Sequence, residues 1–175
     1  MTSIEPTHDV GTEEAVATPR TRSFDQSLPM LLMRARESVM RRFRPHLRSH
    51  GLTDQQWRIL RALAEQEQME LLELSHRCMI QPPSLSRTVP ALTERGLVQR
   101  EDHPTDRRRA LISLTDAGRD LFEEMSVESA RIYRQLALDI GEETLNDTYQ
   151  MLADLIELVQ RSADDDATTA GGEDE

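Results

Sequence analysis

A mainly α-helical fold with one small β-hairpin is predicted by three observations. Apolar residues recur at helical spacing through most of the chain. Gly96 closes one of these stretches just ahead of two short β-type runs. The runs are joined by the turn Asp102-His103-Pro104-Thr105-Asp106, which leads into three consecutive arginines, Arg107, Arg108 and Arg109. At 175 residues the chain suits one compact domain with tails. Residues 1–27 and 163–175 are rich in Thr, Asp, Glu, Ala and Gly and poor in large apolar side chains, so both are expected to be disordered; the domain is expected over residues 28–162.

The first helix is expected from Leu28 to about Ser49, where Leu28, Leu32, Ala35, Val39, Phe43 and Leu47 share a face. Pro29 falls where a first-turn proline is tolerated, Pro45 should bend the last turn, and Gly51 should end the helix. Thr53-Asp54-Gln55-Gln56 reads as a capping box for a second helix to about Glu65. After a polar break over residues 65–68, a short third helix covers Leu71 to Cys78, and a fourth starts at Pro82-Pro83 and stops at Gly96. Leu97-Val98-Gln99-Arg100 and Ala110-Leu111-Ile112-Ser113-Leu114 form the hairpin. A long fifth helix, Asp116 to about Leu138, carries Leu121, Met125, Ile132 and Leu136. A sixth, Glu142 to about Gln160, carries Leu145, Leu152, Leu155, Ile156 and Val159.

Charge is unevenly placed. The net charge of −11 comes mostly from the two tails, at −3 and −6, while residues 77–109 hold seven Arg against four acids. The middle of the chain is therefore suited to a polyanion although the whole is acidic. No apolar run reaches membrane-spanning length and no signal-type segment opens the chain. The single cysteine, Cys78, excludes an internal disulfide framework, and a cytoplasmic location is expected. No Gly-rich phosphate loop, no nucleophile elbow and no carboxylate pair with an evident cleft is found, so no enzyme and no cofactor is expected.

A short helix, a turn and a second helix feeding a hairpin make a winged helix-turn-helix, with a DNA-binding unit over about 53–114. On the fourth helix, Leu85, Val89 and Leu92 should pack inward. Pro83, Arg87 and Pro90 should face out, with Ser84 and Ser86 at the edges. A cation and two hydroxyls near a helix N-terminus suit phosphates and base edges, although either serine could equally serve as a first-turn cap. The arginine-tipped hairpin suits a wing along the DNA backbone and in its minor groove, or an ordinary charged turn. Pro90 could bend or shorten the helix. The helices over about 28–49 and 116–160 carry more apolar stripe than the small centre can cover, so a homodimer on a pseudo-palindromic duplex is expected.

At these residues the chain resembles the MarR family of bacterial regulators. The family's wing signature is met by Asp106, Arg108, Leu114 and Thr115, flanked by Glu94-Arg95-Gly96-Leu97-Val98 and Thr115-Asp116-Ala117-Gly118. The resemblance spans about Leu28 to Val159. It implies that Arg108 enters the minor groove with Asp106 bracing it, and that Arg107 and Arg109 touch the DNA backbone or partners within the hairpin. Ala35-Arg36-Glu37, Phe43-Arg44-Pro45, Leu52-Thr53-Asp54-Gln55-Gln56-Trp57-Arg58-Ile59 and Pro82-Pro83-Ser84-Leu85 look like the branch that represses homoprotocatechuate and hydroxyphenylacetate catabolism. Pro90 departs from that branch's pattern. The resemblance implies a repressor that binds operator DNA and is released by a phenolic acid. Another aromatic acid, redox or metal sensing, or a protein-interaction module are the alternatives.

In such an architecture an effector fits between the dimer helices and the DNA-binding unit. Arg36 is the expected carboxylate anchor, because a guanidinium offers a bidentate fork. Met33, Met40, Phe43 and Trp57 could enclose a ring, with His46 or His50 for a phenolic hydroxyl; equally, Trp57 could be core and Arg36 an ion-pair residue. His46 and His50 have metal-ligand spacing, but no third ligand lies near them in sequence, so no metal is expected. Cys78 beside Met79 and Ile80 reads as a buried, inert thiol rather than a redox switch.

Overall fold

The computed structural model describes residues 23–170 except 104, 107 and 108, with side chains described as far as residue 162. The chain divides into two compact units, with the boundary between Ser38 and Val39. In the first, a 3-10 turn at Phe24–Gln26 precedes the start of helix α1 (Leu28–Ser49), and Asp25 pairs with Arg34 at 3.6 Å. The end of the segment expected to be a disordered N-terminal tail is thus ordered here, while residues 1–22 lie outside the described residues. Leu28, Leu31 and Met33 are exposed in this unit.

The second unit continues α1 and adds helix α2 (Asp54–Glu65), strand β1 (Met69–Glu70), helix α3 (Leu71–Cys78) and helix α4 (Pro82–Glu94). Strands β2 (Val98–Asp102) and β3 (Ala110–Leu114) and helices α5 (Asp116–Ile140) and α6 (Glu142–Ala170) complete it. Thr53 forms the expected capping box: its hydroxyl accepts from Gln56 N at 3.2 Å and Gln56 Oε1 accepts from Thr53 N at 3.0 Å. Pro45 does not interrupt α1, which runs on to Ser49. Arg95 donates to the carbonyls of Gly51 at 2.8 Å and His50 at 3.0 Å, satisfying backbone acceptors just past that helix.

The sheet is three-stranded, in the order β1-β3-β2 and antiparallel throughout, with Met69 opposite Ile112 and Arg100 opposite Ile112 on the other side. The expected hairpin therefore has a third strand. It lies in the segment after the polar break, where two residues are too few to show an alternating pattern. Ile59, Leu60, Leu74, Leu85, Leu92 and Ile112 are fully buried and form one core from α2, α3, α4 and the sheet. Burying each such side chain stabilises the fold by about 1.5–3 kcal/mol before the entropy cost of ordering it.

The junction between β2, β3 and α5 explains the Gly96-Leu97 and Thr115-Asp116-Ala117-Gly118 segments. Gly96 has φ +70°, a left-handed conformation that releases α4 into the strand. Thr115 caps α5 by accepting from Gly118 N at 3.0 Å, and its hydroxyl donates to the Gly96 carbonyl at 2.6 Å. Thr115 N donates to Leu97 O at 3.2 Å. A Cβ on Gly118 would stand 1.9 Å from the Leu97 carbonyl oxygen, so only glycine lets the helix start this close to the strand.

Helix α6 continues to Ala170, into the segment expected to be a disordered acidic tail. None of its residues with a described side chain is buried. Among the described residues no helix is long and apolar enough to cross a membrane.

Candidate nucleic-acid interface

Helix α4 opens with Pro82 and Pro83, which fit a first turn because the N–H groups they lack have no intrahelical partner there. Leu85, Val89 and Leu92 are buried, as their spacing requires, and this turns Pro83, Ser86, Arg87 and Pro90 outward; Ser84 is half-buried. Neither serine acts as the helix cap: Gln81 holds that position, with no side-chain cap bond. Pro90 neither shortens nor ends the helix, which runs to Glu94. The missing N–H belongs to the solvent face, where water can satisfy the freed carbonyl.

The wing is carried by β2 and β3. Asp106 is exposed at the turn, and its carbonyl accepts from Arg109 N at 2.9 Å. Arg107 and Arg108 lie outside the described residues. Arg109 is a partner within the sheet: its Nε donates to Glu70 Oε2 at 2.7 Å and its Nη2 to Glu70 Oε1. That two-pronged pair ties the wing to β1, and its hydrogen bonds hold the Arg109 guanidinium above its ordinary pKa. Sequence reading left Arg109 between DNA and hairpin roles; β1, which supplies Glu70, was the missing piece.

The five residues expected around an effector are distributed unevenly. Arg36 is exposed and belongs to the N-terminal unit. Trp57 is only 5 % exposed, sits in the main core and stacks on Phe122, with ring centroids 5.7 Å apart. Phe43 is buried in a second cluster with Ile132 and Leu136, and Met40 packs against both clusters. His50 makes a T-shaped contact with His46 at 4.9 Å, and its Nε2 lies 3.4 Å from Glu124 Oε1. The ring of His46 faces the Met125 carbonyl at 3.1 Å, and among the described residues no three potential ligands converge on a metal position.

One constellation was missed. Arg61 on α2 donates to the Tyr133 hydroxyl on α5 at 3.5 Å, and the Tyr133 ring lies 5.0 Å from Phe43. Both Arg61 and Tyr133 are exposed, so a guanidinium and a phenolic O–H stand side by side at the edge of the apolar cluster of Phe43, Ile132 and Leu136. Seventy-two residues separate the two, and no local pattern joins them.

Cys78 is buried, its thiol directed at the Arg58 carbonyl 3.6 Å away, and burial pushes its pKa up despite the nearby Arg58 and Arg77. A protonated, enclosed thiol is a poor nucleophile.

Residues 50–109 match the sequence profile of the MarR family. The homoprotocatechuate degradative operon repressor of Escherichia coli is 36% identical over 132 residues, which are 75% of this chain and 89% of that one. The crystal structure of NadR in complex with 4-hydroxyphenylacetate superposes with a TM-score of 0.71 at 33% identity, covering 77% of this chain and 98% of that one. A transcriptional repressor, CouR, bound to a 23-mer DNA duplex gives a TM-score of 0.69 at 27% identity, covering 75% of this chain and 94% of its own.

Proposed function

The chain belongs to the MarR family of transcriptional regulators, and on that premise we propose that it is a dimeric, cytoplasmic repressor of an aromatic-catabolic operon, released from its operator by a hydroxyphenylacetate. The observation that carries the effector half is the Arg61–Tyr133 pair beside Phe43. Guanidinium and phenol together offer two convergent donors to a carboxylate, and Phe43 with its aliphatic neighbours offers an apolar wall to a ring. Arg36 remains an independent candidate anchor, being an exposed guanidinium on α1. Reading of the operator rests on α4, with Arg87 toward a guanine edge, Ser84 and Ser86 as hydroxyl donors, and Arg108 in the minor groove with Asp106 bracing it; Arg107 adds a backbone contact.

The site is well placed for control. Helix α2 is buried against the recognition unit, while α5 starts at its edge and runs to the helices that would pair in a dimer. A ligand wedged between α2 and α5 changes the angle between reader and dimer arm. To loosen the operator tenfold it need prefer the DNA-free conformation by only about 1.4 kcal/mol.

The test is operator release by 4-hydroxyphenylacetate, followed in wild type, Arg61→Ala and Arg36→Ala. Arg61→Ala should keep operator affinity and lose release, with calorimetric ligand affinity falling about tenfold or more, as removal of a charge-assisted bond does. Release intact in Arg61→Ala but lost in Arg36→Ala moves the anchor to Arg36. Release intact in both, or no response of the wild type to any phenolic acid, overturns the effector half.

A further inference from the structure

Between α4 and the wing runs a groove whose floor carries a cation, Arg100, that has no partner among the described residues. Arg100 faces Ile112 across the β2–β3 ladder, so its side chain leaves the sheet on the same face as that fully buried residue. Ile112 packs into the core, whereas Arg100, one strand further out, is exposed. It lines two adjoining cavities. One, of about 510 Å³, it shares with Leu72, Pro82 and Arg109; the other, of about 280 Å³, with Ser86, Pro90 and Thr93. Arg100 thus lies on the wing strand β2 and faces the exposed edge of α4.

The acids nearby do not neutralise it. Glu70, on the wall of the larger cavity, is held by Arg109, and Glu101 accepts from Gln99 at 3.4 Å on the opposite face of β2. Asp102 shares the Arg100 face but forms no ion pair with it, and Arg100 makes no hydrogen bond to any described residue.

A helix in the major groove and a wing in the adjacent minor groove must straddle the phosphodiester strand that separates them. With α4 and the wing so seated, that strand would pass over the floor of this groove. We propose that Arg100 grips the phosphate of this intervening strand, and so sets the spacing between α4 and the wing on the duplex. The inference rests on the chain's being a DNA-binding regulator and adds to it a contact blind to base sequence. Arg87 and Arg108 read the two grooves; Arg100 holds the ridge between them, and a phosphate supplies the charge that Glu70 gives to Arg109.

The experiment uses an operator selected by the wild-type protein from a random-sequence duplex library, with affinity measured across a salt series for wild type, Arg100→Gln and Arg100→Lys, on that operator and on a random duplex. In Arg100→Gln, affinity should fall about tenfold on both duplexes. The slope of log affinity against log salt should shrink by about 0.9 for each protomer. Arg100→Lys should restore the slope, since an ammonium carries the same charge, and this rescue separates a phosphate contact from damage to the strand. A slope unchanged in Arg100→Gln overturns the proposal, as does a preference altered at one base position. Loss of 4-hydroxyphenylacetate binding with the slope intact overturns it too, and makes the larger cavity a small-molecule site. If the wild type selects no duplex at all, the regulator reading fails with it; a wild type that binds normally leaves only Arg100 in question.

Discussion

Helices α2 and α6 are both amphipathic, yet their apolar faces end in opposite places. In α2, Ile59 and Leu60 are 0 % exposed, and Trp57, Ala62 and Leu63 are buried with them. In α6, Ile156 is 57 % exposed and Leu158 60 %, and Leu152 and Leu155 are only half covered where the helix lies on α5. The difference is one of partners. α2 meets α3, α4, α5 and β3 within its own chain, whereas α6 packs on α5 and leaves much of its apolar surface in water. Burial inside one chain fixes the shape of the reader; the stripe left open on α6 is suited to a second copy.

Five substitutions probe that contrast. Leu155→Glu on α6 should have the largest effect on DNA affinity, because it places a charge in the surface through which two readers would be joined. The protein should sediment as a monomer at micromolar concentration, and operator affinity should fall by about a thousandfold, toward non-specific binding. A variant that stays dimeric would move the interface elsewhere. Leu60→Ala in α2 should instead cost about 2–5 kcal/mol of stability through the cavity it leaves, and by the same amount at every protein concentration. Chemical denaturation at two concentrations reads this directly; a concentration-dependent loss would mean that the α2 core and the dimer surface are one cooperative unit.

The next change touches neither core nor dimer surface. Arg108→Ala should weaken operator binding by about 1–3 kcal/mol with the melting temperature unchanged, whereas Arg87→Ala should relax base preference at one position of each half-site. Operator binding equal to wild type in Arg108→Ala would remove the wing from the interface. The smallest effect is expected from Thr115→Ala. It removes the α5 cap and the bond to the Gly96 carbonyl, and should cost about 1 kcal/mol in thermal or chemical denaturation.

Much of this architecture was legible because its signals are local. The Thr53–Gln56 capping box, the Pro82-Pro83 start, Gly96 and the stripe of Leu85, Val89 and Leu92 each announce themselves within a few residues. What escaped is long-range. Strand β1 exists because β3 offers it a ladder, so Met69 and Glu70 carry no β pattern of their own. The extension of α6 to Ala170 runs through Asp164, Asp165 and Asp166, a composition that argues for a solvated tail unless a preceding helix carries it on. The Arg61–Tyr133 pair joins α2 to α5 and has no sequence signature. Trp57 was read as both effector wall and core; the structure buries it in the core, stacked on Phe122.

The contact between Gly118 and Leu97 has a mechanical consequence. Helix α5 holds 25 residues and is about 37 Å long, so its far end moves much further than its root for any given tilt. At the root, not even a methyl group fits between helix and strand, and Thr115 bolts the same point to Gly96 and Leu97. The reader and the first turn of α5 therefore turn together, as a lever fixed to its axle without play. A slight rotation imposed along the shaft should therefore reach the β2–β3 elements with little loss, and a side chain forced in at position 118 should pry the helix from the strand and weaken that coupling even with both binding surfaces intact.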